Sequence, residues 1–449
     1  MSARVSSIVD PAVPAAAQQH WCVPTVVGSS DQRPKAGVLT AASSLLLAVL
    51  LILPFGLAPV PAAAGDSSAD QADAAERQAT ALLIAREALI ADTHIDAPFA
   101  LEADGWLDLG RETSREFDHP KARAGGLDLA WMSIYTPSDL EASGGNRALA
   151  DKLIDAVEAM VGRAPERFAL VHSPDQAVAA QAAGKVGLAL GMENGAAIGD
   201  SLDGLRHFHA RGVRYVTLAH ARSNGISDAA FDPERPLGGL SPFGREVVSE
   251  MNRLGMFIDV SHLTDEAIIQ VLALSTAPVI ASHSSARHFT PGFERNLSDP
   301  LIQAIAAKGG VVHINFGSAF LTAEANAYNA AARSAREAWQ AANPDADAAA
   351  RAAFEADYRT AHPYPFATVG DVTDHIEHVI ALAGIDHVGL GSDFDGVGDS
   401  LPVGLKTVAD FPNLIAELLR RGHDRAAIEK ILGGNLLRAW REVEARRQR

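Results

Sequence analysis

The chain has 449 residues, of which 48% are hydrophobic and 21% are charged, and its formal net charge is −17. This composition is typical of a globular protein with a large core, and the lack of a basic patch argues against nucleic acid as a partner. The single cysteine, Cys22, lies near the N-terminus. Disulfides and thiolate metal sites are therefore excluded from the rest of the chain, where any metal must be bound by nitrogen and oxygen ligands.

The N-terminal segment is typical of a secretory leader. Two basic residues precede an uncharged stretch with the apolar centre Leu45–Leu53, and the small residues Ala62–Ala64 follow as a cleavage motif. We expect a signal peptide or leader over residues 1–64, and hence a periplasmic or secreted protein. An uncleaved membrane anchor is the alternative, although the apolar centre is shorter than the ~20 residues of a span. Residues 65–86 are predicted as a linker and the start of the first helix.

Residues 87–449 are predicted to form one barrel domain, in which short apolar runs alternate with helical patterns. Such alternation predicts a parallel sheet, and eight units predict an α/β fold of the (β/α)₈ TIM-like barrel type. A doubly wound open sheet is the alternative. The predicted strands are Ala88–His94, Leu127–Ile134, Val186–Met192, Val213–Leu218, Met256–Ser261, Pro278–Ser282, Gly310–Phe316 and His387–Asp393.

Several helices are predicted between and after these strands. A helical insertion over about residues 320–366, with two helices around Pro344, is expected between the seventh and eighth strands. The chain end, Asp424–Arg447, is expected to pack as helices on the outside. The predicted connecting helices are Leu202–Arg211, Phe243–Leu254, Asp265–Ser275 and Asp299–Lys308.

Most of the predicted strands end at a histidine, aspartate or glutamate. In a barrel, the carboxyl ends of the strands form the active face, so these side chains are expected to converge. His94 and Asp96 are two residues apart on the first strand and should therefore lie on the same side of it. The other strand-end residues are Glu193, His220, His262, His283 and Asp393.

The ligand types indicate the metal. Imidazole and carboxylate without thiolate favour zinc, and manganese, cobalt or iron less specifically. Three histidines and two carboxylates are more than one tetrahedral ion needs once a water position is left open. Two zinc ions that share Glu193 would use the set economically, and they would bind and acidify a bridging hydroxide. We therefore expect two Zn²⁺ ions per chain, bound by His94, Asp96, Glu193, His262 and His283.

Longer motifs resemble the membrane (renal) dipeptidase family of zinc peptidases. The resemblance covers most of residues 88–441 and suggests a bacterial member of the family. It implies a barrel fold, two zinc ions and hydrolysis of dipeptides. Its motifs are Thr217–His220, Glu250–His262, Ser282–Arg287, Arg295-Asn296, Val388–Gly396 and Gly434–Arg438.

The resemblance also implies a role for each site residue. It assigns His94, Asp96 and Glu193 to one zinc ion, and it assigns Glu193, His262 and His283 to the other. In this scheme the bridging hydroxide attacks the peptide carbonyl. Family members often pair, so a homodimer is expected.

Three further residues are implied to contact the substrate: His220, Arg295 and Asp393. His220 would stabilise the oxyanion, and Asp393 would act as the catalytic acid/base carboxylate. Arg295 would bind the free C-terminal carboxylate of a dipeptide, which a guanidinium fork suits.

Two alternatives remain at the level of the sequence. Another amidohydrolase-type enzyme, such as a lactonase or deaminase, could use the same barrel, because a fold does not determine function. The usual two-metal version of that group needs a carboxylated lysine at a strand end, whereas Lys185 precedes its strand. A non-catalytic binding protein is the second alternative, and the complete ligand set argues against it.

Overall fold

The computed structural model describes residues 67–448, so the predicted leader over residues 1–64 lies outside the described part. The strands of this part form one parallel sheet with the order β1-β2-β4-β5-β6-β7-β8-β9, and β3 pairs only with β4. The strands are β1 (Ile90–Ile95), β2 (Leu127–Tyr135), β3 (Phe168–Leu170), β4 (Val186–Glu193), β5 (Val213–Thr217), β6 (Phe257–Asp259), β7 (Ile280–Ala281), β8 (Val311–Ile314) and β9 (Val388–Leu390).

The sheet closes between β1 and the residues that follow β9. Ile95 forms a parallel bridge with Phe394. The Asp96 amide donates to the Phe394 carbonyl at 2.8 Å, and the Asp393 amide donates to the His94 carbonyl at 3.0 Å. The predicted eight-stranded barrel is therefore confirmed in nearly closed form, and the open-sheet alternative is wrong. The same closure brings Asp393 beside His94 and Asp96.

Helices connect the strands, and their starts carry the expected capping residues. The Thr264 side chain accepts from the Ala267 amide, and Thr368 and Asp371 form a capping box. Within residues 67–448, no helix combines the length and apolarity needed to cross a membrane. The α-helices are α1 (Ser67–Glu87), α2 (Ala97–Asp104), α3 (His119–Gly125), α4 (Asn146–Arg163), α5 (Pro174–Ala182), α6 (Leu202–Ala210), α7 (Pro242–Leu254), α8 (Asp265–Leu274), α9 (Asp299–Ala307), α10 (Ser318–Leu321), α11 (Ala323–Ala342), α12 (Ala348–Ala361), α13 (Val369–Ala383), α14 (Phe411–Arg420), α15 (Arg425–Glu429) and α16 (Asn435–Ala445).

Each predicted strand corresponds to one strand of the barrel, but β6, β7, β8 and β9 are clearly shorter than predicted. The apolar pattern continues past the point where the backbone leaves the sheet. His262 and Asp393, which follow β6 and β9, have φ values of 70° and 65°. These left-handed conformations are uncommon for residues other than glycine and cannot continue a strand. The strand β3 was not predicted, because three residues outside the barrel path carry no recognisable alternation.

Two predicted segments lie outside the barrel. The predicted insertion contains α11 and α12 on either side of Pro344. The segment 65–86, predicted as a linker and the start of the first helix, is helical from Ser67 onward. Alanine is the strongest helix former, and α1 also buries Ala81 and Ile84 and packs against α14.

Aromatic side chains fill the amino-terminal end of the barrel. The Trp131 ring of β2 stacks on the Tyr215 ring of β5 with 5.1 Å between centroids, and it contacts Trp440 of α16 at 4.8 Å. All three are fully buried. The C-terminal helix thus covers this end of the barrel, and the chemistry must lie at the opposite end.

Gly191 of β4 provides the space that Tyr215 needs. A Cβ atom at Gly191 would lie 2.0–2.5 Å from three ring atoms of Tyr215. The absence of that atom lets the ring lie inside the barrel, where its hydroxyl is 2.9 Å from His94 Nδ1. A glycine in one strand therefore helps to position a histidine in another.

We expect Gly191→Ala to lower the free energy of unfolding by about 1–3 kcal/mol, because Tyr215 is packed against Trp131 and cannot move freely. Urea denaturation measures this change. The matched control is Gly162→Ala in α4, where nothing lies within 4 Å of an added Cβ atom. Equal stability of the two variants would contradict the packing argument.

Candidate metal centre

The side chains predicted as metal ligands surround the carboxylate of Glu193. Its Oε2 atom lies 3.4 Å from His94 Nε2. Its Oε1 atom lies 3.1 Å from His262 Nε2 and 3.2 Å from His283 Nε2. Asp96 Oδ2 is 3.5 Å from His94 Nε2. The fold thus brings all five residues together, and all five are buried.

The carboxyl ends of the barrel strands deliver these residues. His94 lies on β1, Glu193 is the last residue of β4, and His262 and His283 follow β6 and β7. The chain turns sharply after Glu193 because Asn194 has a φ of 77° and its side chain donates to the Thr136 carbonyl. The predicted convergence at one end of the barrel therefore follows from strand order.

The Glu193 carboxylate gives the middle of the centre a negative charge. Burial would raise the pKa of Glu193, but the surrounding histidines, His94 foremost, hold it well below its usual value. Burial and the Arg295 cation hold the pKa of His262 well below its usual value. Burial together with His94 does the same for His283. An ionised carboxylate beside the neutral imidazoles of His262 and His283 is the state in which these groups bind metal.

His94 is held in one orientation by Tyr215. The Tyr215 hydroxyl donates to the Thr93 carbonyl at 3.1 Å, so it can only accept from His94 Nδ1. Nδ1 then carries the proton, and the lone pair of Nε2 points at Glu193 and Asp96. Burial lowers the pKa of His94, but Tyr215, Glu193 and Asp96 outweigh it and raise the value well above normal. Nε2 therefore attracts positive charge, which a metal ion can supply.

His283 is oriented in the same way by a buried carboxylate, Asp259. Ser282 Oγ donates to Asp259 Oδ2 at 2.6 Å and lies 2.7 Å from His283 Nδ1. Because the Ser282 hydroxyl donates its proton to Asp259, His283 Nδ1 must be the donor to the serine oxygen. His283 Nε2 is then unprotonated and keeps its lone pair. Asp259 also accepts from Thr217 Oγ1. Such outer contacts orient and tune metal-binding histidines.

The arrangement fits metal ions. His94 Nε2 and Asp96 Oδ1 form no hydrogen bond within the described residues although both are buried. His262 Nε2 and His283 Nε2 are only 2.8 Å apart. Ligands of a tetrahedral zinc ion at about 2.0 Å lie roughly 3.3 Å apart. The set therefore matches zinc coordination if the Nε2 atoms of His262 and His283 move apart by a few tenths of an ångström.

His220 lies at the edge of the centre. Its Nε2 atom is 3.6 Å from Glu193 Oε1, and about a fifth of its side chain is exposed. Its ring lies 4.2 Å from that of His262 and 4.7 Å from that of Tyr135. Its nitrogen is close enough to Glu193 and His262 to complete a metal-ligand group. His220 can therefore reach either an ion or a substrate.

Asp393 lies on the β1 side of the centre. Its Oδ2 atom accepts from Asn315 Nδ2 at 2.7 Å, and with His94 and Asp96 it forms a further group of metal-ligand type. Gly396 makes room for the two carboxylates, since a Cβ atom there would lie 2.1 Å from Asp96 Oδ2. Burial and the neighbouring Asp96 raise the pKa of Asp393 to about 7.

Arg295 is buried beside the His262–His283 half of the centre. Nη1 donates to Ser284 Oγ at 2.7 Å, and Nη2 donates to the His283 carbonyl at 2.9 Å. Nη2 is also 2.9 Å from His262 Nε2. The Nε–H group has no hydrogen-bond partner among the described residues. A buried cation with a donor to spare suits an anionic ligand.

The residues that hold the predicted ligands in place were not predicted from the sequence. Tyr215, Ser282 and Asn315 each form a hydrogen bond to a site residue, and Asp259 acts on His283 through Ser282. Asp259 did give a signal, because a charged residue inside a buried apolar strand requires a partner. The other three have no distinguishing pattern, since their partners are far away in the sequence.

Comparisons with known proteins identify the family. The sequence model of the family described as membrane dipeptidase (peptidase family M19) matches residues 77–449. The dipeptidase tcpJ of Claviceps purpurea is 36% identical over 291 residues, which are 65% of this chain and 59% of that protein. The uncharacterized dipeptidase C965.12 of Schizosaccharomyces pombe is 32% identical over 387 residues, which are 80% of this chain and 82% of that protein.

Solved structures give the same result. The probable dipeptidase PvdM from Pseudomonas aeruginosa has a TM-score of 0.72 and 29% identity, with 83% of this chain and 99% of that chain covered. A metallo peptidase from Rhodobacter sphaeroides, solved with a phosphinate mimic of the dipeptide L-Ala-D-Ala, has a TM-score of 0.65 and 25% identity, with 79% and 99% covered. The chain therefore belongs to the membrane dipeptidase family, peptidase family M19, and is a peptide hydrolase.

Proposed function

We propose that the chain hydrolyses dipeptides with two zinc ions bound by His94, Asp96, Glu193, His262 and His283. The position of Glu193 carries this proposal, because its two oxygens face different imidazoles. Oε2 faces His94, and Oε1 faces His262 and His283. A carboxylate so placed suits a ligand shared by two ions. We assign His94, Asp96 and Glu193 to one ion, and Glu193, His262 and His283 to the other.

The residues around the ions would move the proton and stabilise the charge. When bound, zinc would supply the Lewis acidity that generates a hydroxide nucleophile at neutral pH. Asp393, held by Asn315, would take the proton of the attacking water and pass it to the leaving amine. His220 would donate a hydrogen bond to the developing oxyanion.

Arg295 would restrict the substrate to short peptides. Its guanidinium lies next to His262 and His283, so a carboxylate bound to it would place the preceding peptide bond near the centre. The relative from Rhodobacter sphaeroides was solved with a mimic of L-Ala-D-Ala. A dipeptide with an L- or D-configured C-terminal residue is therefore the substrate class to test.

We also propose export and pairing, on grounds other than the site. The apolar stretch Leu45–Leu53 and the small residues Ala62–Ala64 support a signal peptide and a periplasmic or secreted location. A homodimer remains a proposal that rests only on what the resemblance to the family implies.

Metal content and activity test the central proposal. The purified full chain should contain at least two zinc ions and cleave members of a dipeptide panel, and a chelator should abolish both. Glu193→Gln should lose activity and the two zinc ions of the barrel centre, because it removes the charge that both ions share, whereas Glu246→Gln at an exposed position of α7 should retain both. A chain without metal or chelator-sensitive dipeptide cleavage would contradict the proposal, and cleavage of lactones alone would favour the amidohydrolase alternative.

The role of Arg295 can be tested on paired substrates. Arg295→Ala should lower kcat/KM for dipeptides with a free carboxylate by about tenfold to hundredfold, as for loss of a hydrogen bond to a charged group. C-terminally amidated dipeptides should be cleaved equally by variant and parent. Arg295→Lys should recover only part of the loss, since lysine keeps the charge but not the fork. Equal losses on both substrates would exclude carboxylate recognition.

The Asp259–Ser282–His283 contacts predict a difference between two neighbouring variants. Ser282→Ala should weaken zinc retention against a competing chelator by about tenfold to hundredfold, because His283 loses the contact that orients it. Thr217→Val removes a donor to the same Asp259 oxygen, but that donor does not contact a ligand. It should change stability and leave zinc affinity near that of the parent. Equal zinc affinities in the two variants would mean that the serine does not act through His283.

A further inference from the structure

We propose that His288, Asp299 and His378 form an additional zinc site on the outer surface, separate from the centre around Glu193. One potential ligand atom from each lies within 4.8 Å of the others. His378 Nε2 is 2.8 Å from Asp299 Oδ1. The rings of His288 and His378 are stacked with centroids 4.5 Å apart and planes inclined by 22°. Two imidazoles and one carboxylate, with water in the open position, are a typical zinc ligand set.

The three residues come from different elements, so the cluster does not result from local sequence. His288 lies in the short helical turn Arg287–Phe289 after β7, Asp299 is the first residue of α9, and His378 lies on α13. The Phe289 ring packs against the rings of His378 and His375 and supports the cluster from behind. His288 is exposed, and His378 and Asp299 are partly exposed, so an ion can enter from solvent.

A second histidine–aspartate pair shows what distinguishes this cluster from an ordinary ion pair. His207 Nε2 is also 2.8 Å from a carboxylate oxygen, Asp151 Oδ1. Arg211 Nη1 lies 2.7 Å from that same oxygen and supplies the positive charge. At Asp299 the additional neighbour is a second imidazole, which can offer a lone pair. The His207–Asp151 pair is therefore the matched control.

The position of the cluster indicates what the ion would do. The segment 284–298, which we name the Arg295 loop, is held at its base by hydrogen bonds between Arg287 and Leu297 and between Leu297 and Ser285. His288 is the residue after Arg287 at this base, and Asp299 is the first residue after the loop. An ion bound to both and to His378 would tie the Arg295 loop to α13. It would thereby slow the motions of the loop that carries Arg295, a consequence that matters for catalysis only if the proposed function holds.

Zinc binding to the full chain tests the site directly, with zinc alone as the probe. His378→Ala and His288→Ala should each bind one zinc ion fewer per chain than the parent, and His207→Ala should bind the same number. Backbone hydrogen exchange in the Arg295 loop should slow on addition of zinc in the parent and in His207→Ala, but not in His378→Ala. Because His288 is exposed, His288→Ala decides the result if His378→Ala fails to fold.

The same measurements in a Glu193→Gln background separate this site from the catalytic centre. His288→Ala should remove one zinc ion in that background too, whatever number of ions the altered barrel centre retains. Equal zinc stoichiometry of His288→Ala, His378→Ala and their parent would overturn the site. If the variants bind one ion fewer but zinc does not slow hydrogen exchange in the Arg295 loop of the parent, the proposed effect of the ion on this loop would be wrong.

Discussion

A buried carboxylate at the end of β4 is the constraint on which the rest of the centre depends. Glu193 is enclosed by imidazoles, and removing an ion from water costs several kcal/mol unless other charges compensate for it. His262 and His283 are held neutral by burial, so they supply lone pairs rather than positive charge. The carboxylate therefore favours cations beside it, as the proposed two-metal centre would provide.

The barrel meets this constraint by surrounding the ligands with groups that fix their orientation. Tyr215 directs His94, and Asp259 directs His283 through Ser282. Both supports are buried and use hydrogen bonds whose direction is determined by a carbonyl or a carboxylate. A preformed ligand set costs little reorganisation when an ion binds.

The sequence was sufficient to predict the barrel and the residues that the strand ends bring together, because both follow from local patterns. Apolar runs mark the strands, and a polar residue such as Glu193 or His262 at the end of such a run stands out. The supporting contacts could not be predicted in the same way. In the sequence, Tyr215 is an ordinary strand residue, because its contact with His94 forms only when the barrel brings β1 and β5 together. The need for a glycine at position 191 likewise follows only from the position of the Tyr215 ring. The strand β3 and the cluster of His288, Asp299 and His378 likewise depend on tertiary neighbours.

Family membership and the geometry of Glu193 together make the shared carboxylate the central claim. Crystals of the full chain grown with zinc, with diffraction data recorded on both sides of the zinc absorption edge, test it most directly. The account predicts two anomalous peaks in the barrel, one on each side of the Glu193 carboxylate, with His94 and Asp96 at one and His262 and His283 at the other. A barrel without an anomalous peak, or with a single peak that Glu193 does not contact, would contradict it.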